Sequence, residues 1–168
     1  MTEPPIPIDE TGRFSGYASL FGRLDQGGDI VMPGAFTASL AARGAIGIRM
    51  LFQHDPKEPV GIWEAIREDR LGLFVSGRLL PGVPRSDALR RLISGRAIDG
   101  LSIGFRARKS TRDPAAGARR LWQIDLWEIS IVTFPMMDGA RIEPPATGVG
   151  DAPRLARSLD AAISLLRN

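Results

Sequence analysis

A chain of 168 residues, 43% hydrophobic and 24% charged, suits one soluble domain with a real core and room for a tail. It contains no cysteine, which excludes disulfides and thiolate metal sites. Basic residues outnumber acidic ones 22 to 19, for a net charge of +3, and only Lys57 and Lys109 are lysines. The arginines are scattered, in short groups such as Arg106-Arg108-Lys109 and Arg119-Arg120, which reads as solvated strand ends and argues against a nucleic-acid binder.

Residues 1–12 are proline-rich and polar and read as a flexible lead-in. Met1-Thr2-Glu3-Pro4-Pro5 lacks the basic-then-apolar layout of a signal peptide. No apolar run approaches the roughly 20 residues that span a bilayer, so the expectation is a soluble protein made without an export signal. Arg13 to Phe21 reads as a first strand, followed by turn chemistry at Gln26-Gly27-Gly28-Asp29. Pro33 to Arg43 predicts a short helix with Phe36 and Leu40 four apart, stopped by Gly44.

Ile46 to Gln53 alternates as a strand and delivers His54 at its end. Pro59 to Ile66 and Leu71 to Leu79 are two more strands around the polar turn Glu68-Asp69-Arg70. Ser86 to Ser94 predicts an amphipathic helix capped by Ser86, with Leu89, Leu92 and Ile93 facing inward and Gly95 at its end. Asp99 to Arg108 is a strand, Ala115-Ala116-Gly117 a loop, and Arg120 to Phe134 a β-rich stretch ending at Pro135. Beyond a Pro/Gly/Ala linker, Leu155, Leu159, Ala162, Ile163 and Leu166 give a last helix an apolar stripe. The sum is a β-rich α+β domain over 13–142, with six or seven strands and two or three helices. A linker and amphipathic helix occupy 143–168.

Gly100-Leu101-Ser102-Ile103-Gly104 matches G-x-S-x-G, the nucleophile elbow of α/β-hydrolases. That elbow needs a helix directly after the serine and a histidine later in the chain. Here Ile103-Gly104-Phe105-Arg106 continues a strand-like alternation and no histidine follows, so the elbow reading fails. Ser102 still shares a strand face with Gly104, whose missing side chain would let a substrate backbone approach. Gly104 is for the same geometric reason a candidate at an oxyanion hole, which the sequence does not otherwise place. A serine hydroxyl needs an adjacent base, and the only imidazole is His54. The structural alternative stands beside this: a small serine in a tight strand, and a histidine opening the Asp55-Pro56 turn. One histidine, no cysteine and no tight acidic cluster leave no metal site and call for no cofactor.

Five blocks, read together and in order, carry more. SGYASLFGRLDQGGDIVMPGAF (15–36), LFQHDPKEPVGIW (51–63), DRLGLFVSGRL (69–79), RAIDGLSIGF (96–105) and IDLWEISIVTFP (124–135) closely resemble the prohead maturation proteases of tailed phages, prophages and gene transfer agents. The resemblance runs from about Arg13 to Ile142. It implies a serine endopeptidase distantly similar to herpesvirus assemblin, with a closed or nearly closed, mainly antiparallel β-barrel. By the same resemblance His54 is the general base, Ser102 the nucleophile and Glu128 of LWEIS the acidic third member; Asp55, Asp99 and Asp125 are reserve acids. The implied substrates are scaffold and major capsid protein segments inside the immature capsid in the host cytoplasm, with self-cleavage and a homodimer also implied.

The C-terminal helix reads first as a core or dimer contact, and second as a docking tail for scaffold or capsid protein. Two other functions compete with the protease. One is a catalytically silent capsid-assembly or scaffolding module of the same fold, which would not need all three residues. The other is a small-molecule serine esterase or amidase, disfavoured by the order of its motifs and by the lack of a lid-like insertion.

Overall fold

The computed structural model describes residues 7–144; the linker and helix expected at the C-terminus fall, from 145 on, outside the described residues. Ten elements follow one another: β1 (Arg13–Leu20), β2 (Asp29–Val31), α1 (Thr37–Arg43), β3 (Arg49–Phe52), β4 (Asp55–Glu68), β5 (Gly72–Leu79), α2 (Pro84–Ser94), β6 (Gly100–Asp113), β7 (Ala118–Val132) and β8 (Ile142–Glu143). No helix among them is long and apolar enough to cross a membrane.

The strands form one curled sheet in the order β2-β7-β3-β4-β5-β1-β8, with β6 paired along β7. Strand β7 organises it. One edge of β7 holds β6 antiparallel, while the other holds β2 parallel near its start and β3 parallel near its end. The two parallel pairings and the short strands β2 and β8 were not readable from alternation, since two or three residues carry no period. Gly100 bridges Arg141, and Leu101 N–H donates to Ala140 O at 2.9 Å. The chain entering β8 thus lies between β1 and the start of β6. The described residues show eight strands and two helices, and the expected barrel appears as this curled sheet.

Alternating inward residues build the core. Leu121, Ile124, Leu126, Ile129 and Ile131 of β7 are fully buried, with Leu101, Val75 and Leu73. Phe14 and Trp63 meet edge to face at 5.6 Å. Ile8 is buried in the same cluster, so packing begins ahead of Arg13. Helix α2 starts two residues earlier than the serine signal suggested, because Pro84 fits its first turn. Ser86 therefore does not cap it; buried inside the helix, its hydroxyl donates to Val60 O at 2.5 Å. Leu89 and Ile93 are fully buried, but Leu92 is exposed, correcting the expected inward face. Gly44 ends α1 in the left-handed region (φ 61°), as its sequence position implies.

Where β1 crosses beneath Arg141, only glycine fits: a Cβ on Gly16 would lie 2.1 Å from Arg141 O. That obstacle is backbone and cannot swing away. Gly16→Ala is expected to lower stability by about 1–3 kcal/mol, read as a reduced urea midpoint at unchanged m-value.

Candidate active site

His54 stands on a turn that its own sequence does not favour. Strand β3 ends at Phe52, which pairs with Asp55, leaving Gln53 and His54 as the two central residues. Both have positive φ, 53° and 59°, as a type I′ hairpin turn requires and as Asn-Gly would supply more easily. Bonds to the end of β7 and the residue after it hold the strained pair. Gln53 N–H donates to Ile131 O at 3.0 Å, and Gln53 Nε2 donates to Thr133 Oγ1 at 2.7 Å. His54 N–H donates to Ser130 Oγ at 3.1 Å.

Glu128 and Ser102 come from neighbouring strands in a fixed register. Ser102 lies opposite Ser130, and Gly104 opposite Glu128. The next pair, Phe105 with Leu126, skips Trp127, a bulge that re-aims the chain beside Glu128. Leu126 N–H donates to the buried Ser39 Oγ of α1 at 2.8 Å. Gly104 has a role different from the one its spacing suggested. A Cβ there would stand 2.0 Å from Glu128 Oε1 and 2.6 Å from its carboxyl carbon. Its bare backbone makes room for the carboxylate.

The three predicted residues meet. Ser102 Oγ lies 3.0 Å from His54 Nε2, and His54 Nδ1 lies 2.5 Å from Glu128 Oε1. A carboxylate only accepts, so Nδ1 carries the proton and Nε2 is left to accept from the Ser102 hydroxyl. The hydrogen bond and the charge of Glu128 raise the His54 pKa above 6.5, against an opposing effect of burial. Ser102 is buried and borders, with His54, a cavity of about 190 Å³. This arrangement can move a proton from an alcohol to an imidazole whose cationic form is stabilised.

Sequence reasoning missed Ser130. It is fully buried, and its hydroxyl donates to Glu128 Oε2 at 2.6 Å while accepting from the His54 backbone. The only signal was its position two residues after Glu128, on the same strand face. The reserve acids are engaged elsewhere. Asp125 pairs with Arg43 and Arg108, and bonds from Trp127 and these arginines hold its carboxyl well below the usual range. Asp99 pairs with Arg141, and Asp55 accepts from Lys57 N–H.

The family model of the Caudovirus prohead serine proteases matches residues 5–152. The prohead protease of Enterobacteria phage HK97 is 38% identical over 133 residues, covering 78% of this chain; the chain spans 59% of that relative's length. Among solved structures, the bacteriophage T4 capsid assembly protease superposes with a TM-score of 0.61 at 14% identity, covering 73% of this chain and 82% of that one. The KSHV protease, solved with a hexapeptide phosphonate inhibitor, gives 0.58 at 14%, covering 90% and 76%. At such identities these two similarities concern the fold.

A single histidine makes its titration directly visible by NMR. His54 should titrate above 6.5, and Glu128→Gln should bring it down. The raised folded value means that this pair stabilises the protein below the unfolded pKa and loses that contribution as pH climbs through the folded one. Urea stability of the wild type relative to Glu128→Gln should therefore shrink on the alkaline side.

Proposed function

The chain belongs to the Caudovirus prohead serine protease family, and from this premise we propose that it is a serine endopeptidase acting in capsid maturation. The observation that carries the reading is the continuous line from Ser102 Oγ through the His54 ring to Glu128, at 3.0 and 2.5 Å. Ser102 is the nucleophile, His54 the general base and acid, and Glu128 the group that fixes the tautomer and steadies the imidazolium.

Ser102 Oγ bonds to the scissile carbonyl carbon as its proton passes to His54 Nε2. The tetrahedral intermediate collapses, the C–N bond breaks, and His54 returns that proton to the leaving amine. Water then attacks the ester, giving a proton to His54, and Ser102 Oγ departs and recovers it. Ser130 is a positioning residue, holding Glu128 Oε2 and the His54 backbone together. The substrates proposed are scaffold and major capsid protein segments, and the chain itself. The setting is the immature capsid in the host cytoplasm, and the working form a homodimer. A silent assembly module would gain nothing from a buried serine held against an imidazole.

Ser102→Ala should abolish processing of co-expressed capsid and scaffold proteins while leaving the protein folded; unchanged processing would refute the nucleophile assignment. Glu128→Gln should lower kcat by about 10²–10⁴-fold. Gly104→Ala offers a second probe, because its Cβ would meet the Glu128 carboxylate that His54 and Ser130 hold in place. Peptidase kcat should drop at least about tenfold, and thermal stability should fall by about 1–3 kcal/mol as the bonds of that buried carboxylate are broken.

A further inference from the structure

The cavity that Ser102 and His54 border continues to the loop before β2 and the first residue of that strand, where Asp25, Gly27 and Asp29 form part of its wall. Asp25 Oδ1 accepts from the N–H groups of Gly27 and Asp29 at 2.8 and 2.9 Å, which fixes the side chain. The backbone of Gly28 also lies near the carboxylate, and no side-chain donor meets its other oxygen among the described residues. Asp29, mostly buried, is fully engaged by Arg119, whose Nε and Nη2 donate to its two oxygens at 2.8 Å each. Arg119 also feels the charge of Asp25. Two carboxylates thus share one guanidinium, and a negative charge is left over. His54, which also lines the cavity, is paired with Glu128.

A second observation is independent of these charges. Ser19 of β1 also borders the cavity, is 2% exposed, and its hydroxyl has no hydrogen-bond partner among the described residues. Such a group is costly to leave unmet. Val31, Leu101, Phe105 and Met136 make the remaining wall largely apolar.

We infer that this cavity receives a basic side chain flanking the scissile bond, with Asp25 as its specificity-determining carboxylate; the inference rests on the peptidase reading above. Methylenes of a lysine or arginine would lie along the apolar wall. The cationic head would meet the spare oxygen of Asp25 and give Ser19 Oγ a donor. An acidic side chain would face two carboxylates, and an aliphatic one would remove water from Asp25 and Ser19 without replacing it. Burial, with help from Asp29, already raises the Asp25 pKa, which fits a carboxylate lacking a full counter-charge.

The test uses the full chain, a defined peptide mixture read by mass spectrometry, and matched peptides carrying lysine, ε-acetyl-lysine or norleucine at the preferred site. Cleavage sites should be flanked by lysine or arginine. Lysine should exceed norleucine and acetyl-lysine in kcat/KM by about 10- to 100-fold, the worth of a charge-assisted hydrogen bond. Asp25→Asn keeps the oxygen that binds Gly27 and Asp29, and should collapse that ratio. Labelling of Ser102 by a fluorophosphonate should persist in both proteins. Labelling without a basic preference, or a ratio that survives Asp25→Asn, overturns this inference alone. No labelling of Ser102 in the wild type overturns the peptidase reading and this inference with it. The acetyl-lysine comparison needs no variant, so it decides the matter even if Asp25→Asn fails to fold.

Discussion

The site depends on the register of β6 against β7. Ser102 faces Ser130 and Gly104 faces Glu128, so the serine and the carboxylate are set by backbone hydrogen bonds and not by loop conformation. A shift of one residue would turn Ser102 into the core and Leu101 out of it. The buried row of Leu101, Leu126, Ile129 and Ile131 makes such a slip prohibitive. Strand β3 closes the third side in parallel register, with Leu51 opposite Ser130, and so brings the His54 turn over the same patch. One strand, β7, is therefore the common ruler for all of the groups in the proposed chemistry.

Within that frame Glu128 is the most constrained group. Its two oxygens serve different masters: Oε1 takes the imidazole proton and Oε2 takes the Ser130 hydroxyl. The side chain is only 13% exposed, so each bond replaces a lost water contact. Ser130 returns the favour by accepting from the His54 backbone. The result is a closed circuit in which the turn, the carboxylate and the ring hold one another. Groups fixed by packed strands in this way keep catalytic geometry better than groups on free loops. The same fold in the T4 and KSHV proteases at 14% identity shows how little of the remaining sequence such a frame requires.

Much of this was legible in the chain. His54 was reachable because one histidine leaves no choice of base, and Ser102 and Glu128 because their ordered blocks resemble those of a known family. The long strands and both described helices follow from alternation and from glycine stops. What escaped detection shares one physical cause, dependence on a neighbour distant in sequence. Ser130 is an ordinary small residue until Glu128 and His54 are placed beside it. Gly104 reads as access for a substrate until the carboxylate opposite claims its space. Ser86 resembles a helix cap until Val60 O offers it a better partner. Parallel pairing of β3 and β2 with β7 leaves no mark on either strand alone.

The Gln53–His54 turn has a consequence for how this protein could be made more robust. Two consecutive side-chain-bearing residues in the left-handed region sit uphill from Asn or Gly by of order 1 kcal/mol each. Asn or Gly at position 53 would relieve that cost. The gain would forfeit the amide tether to Thr133 and loosen the ring it steadies. Glutamine at that corner thus places the geometry of the ring ahead of ruggedness.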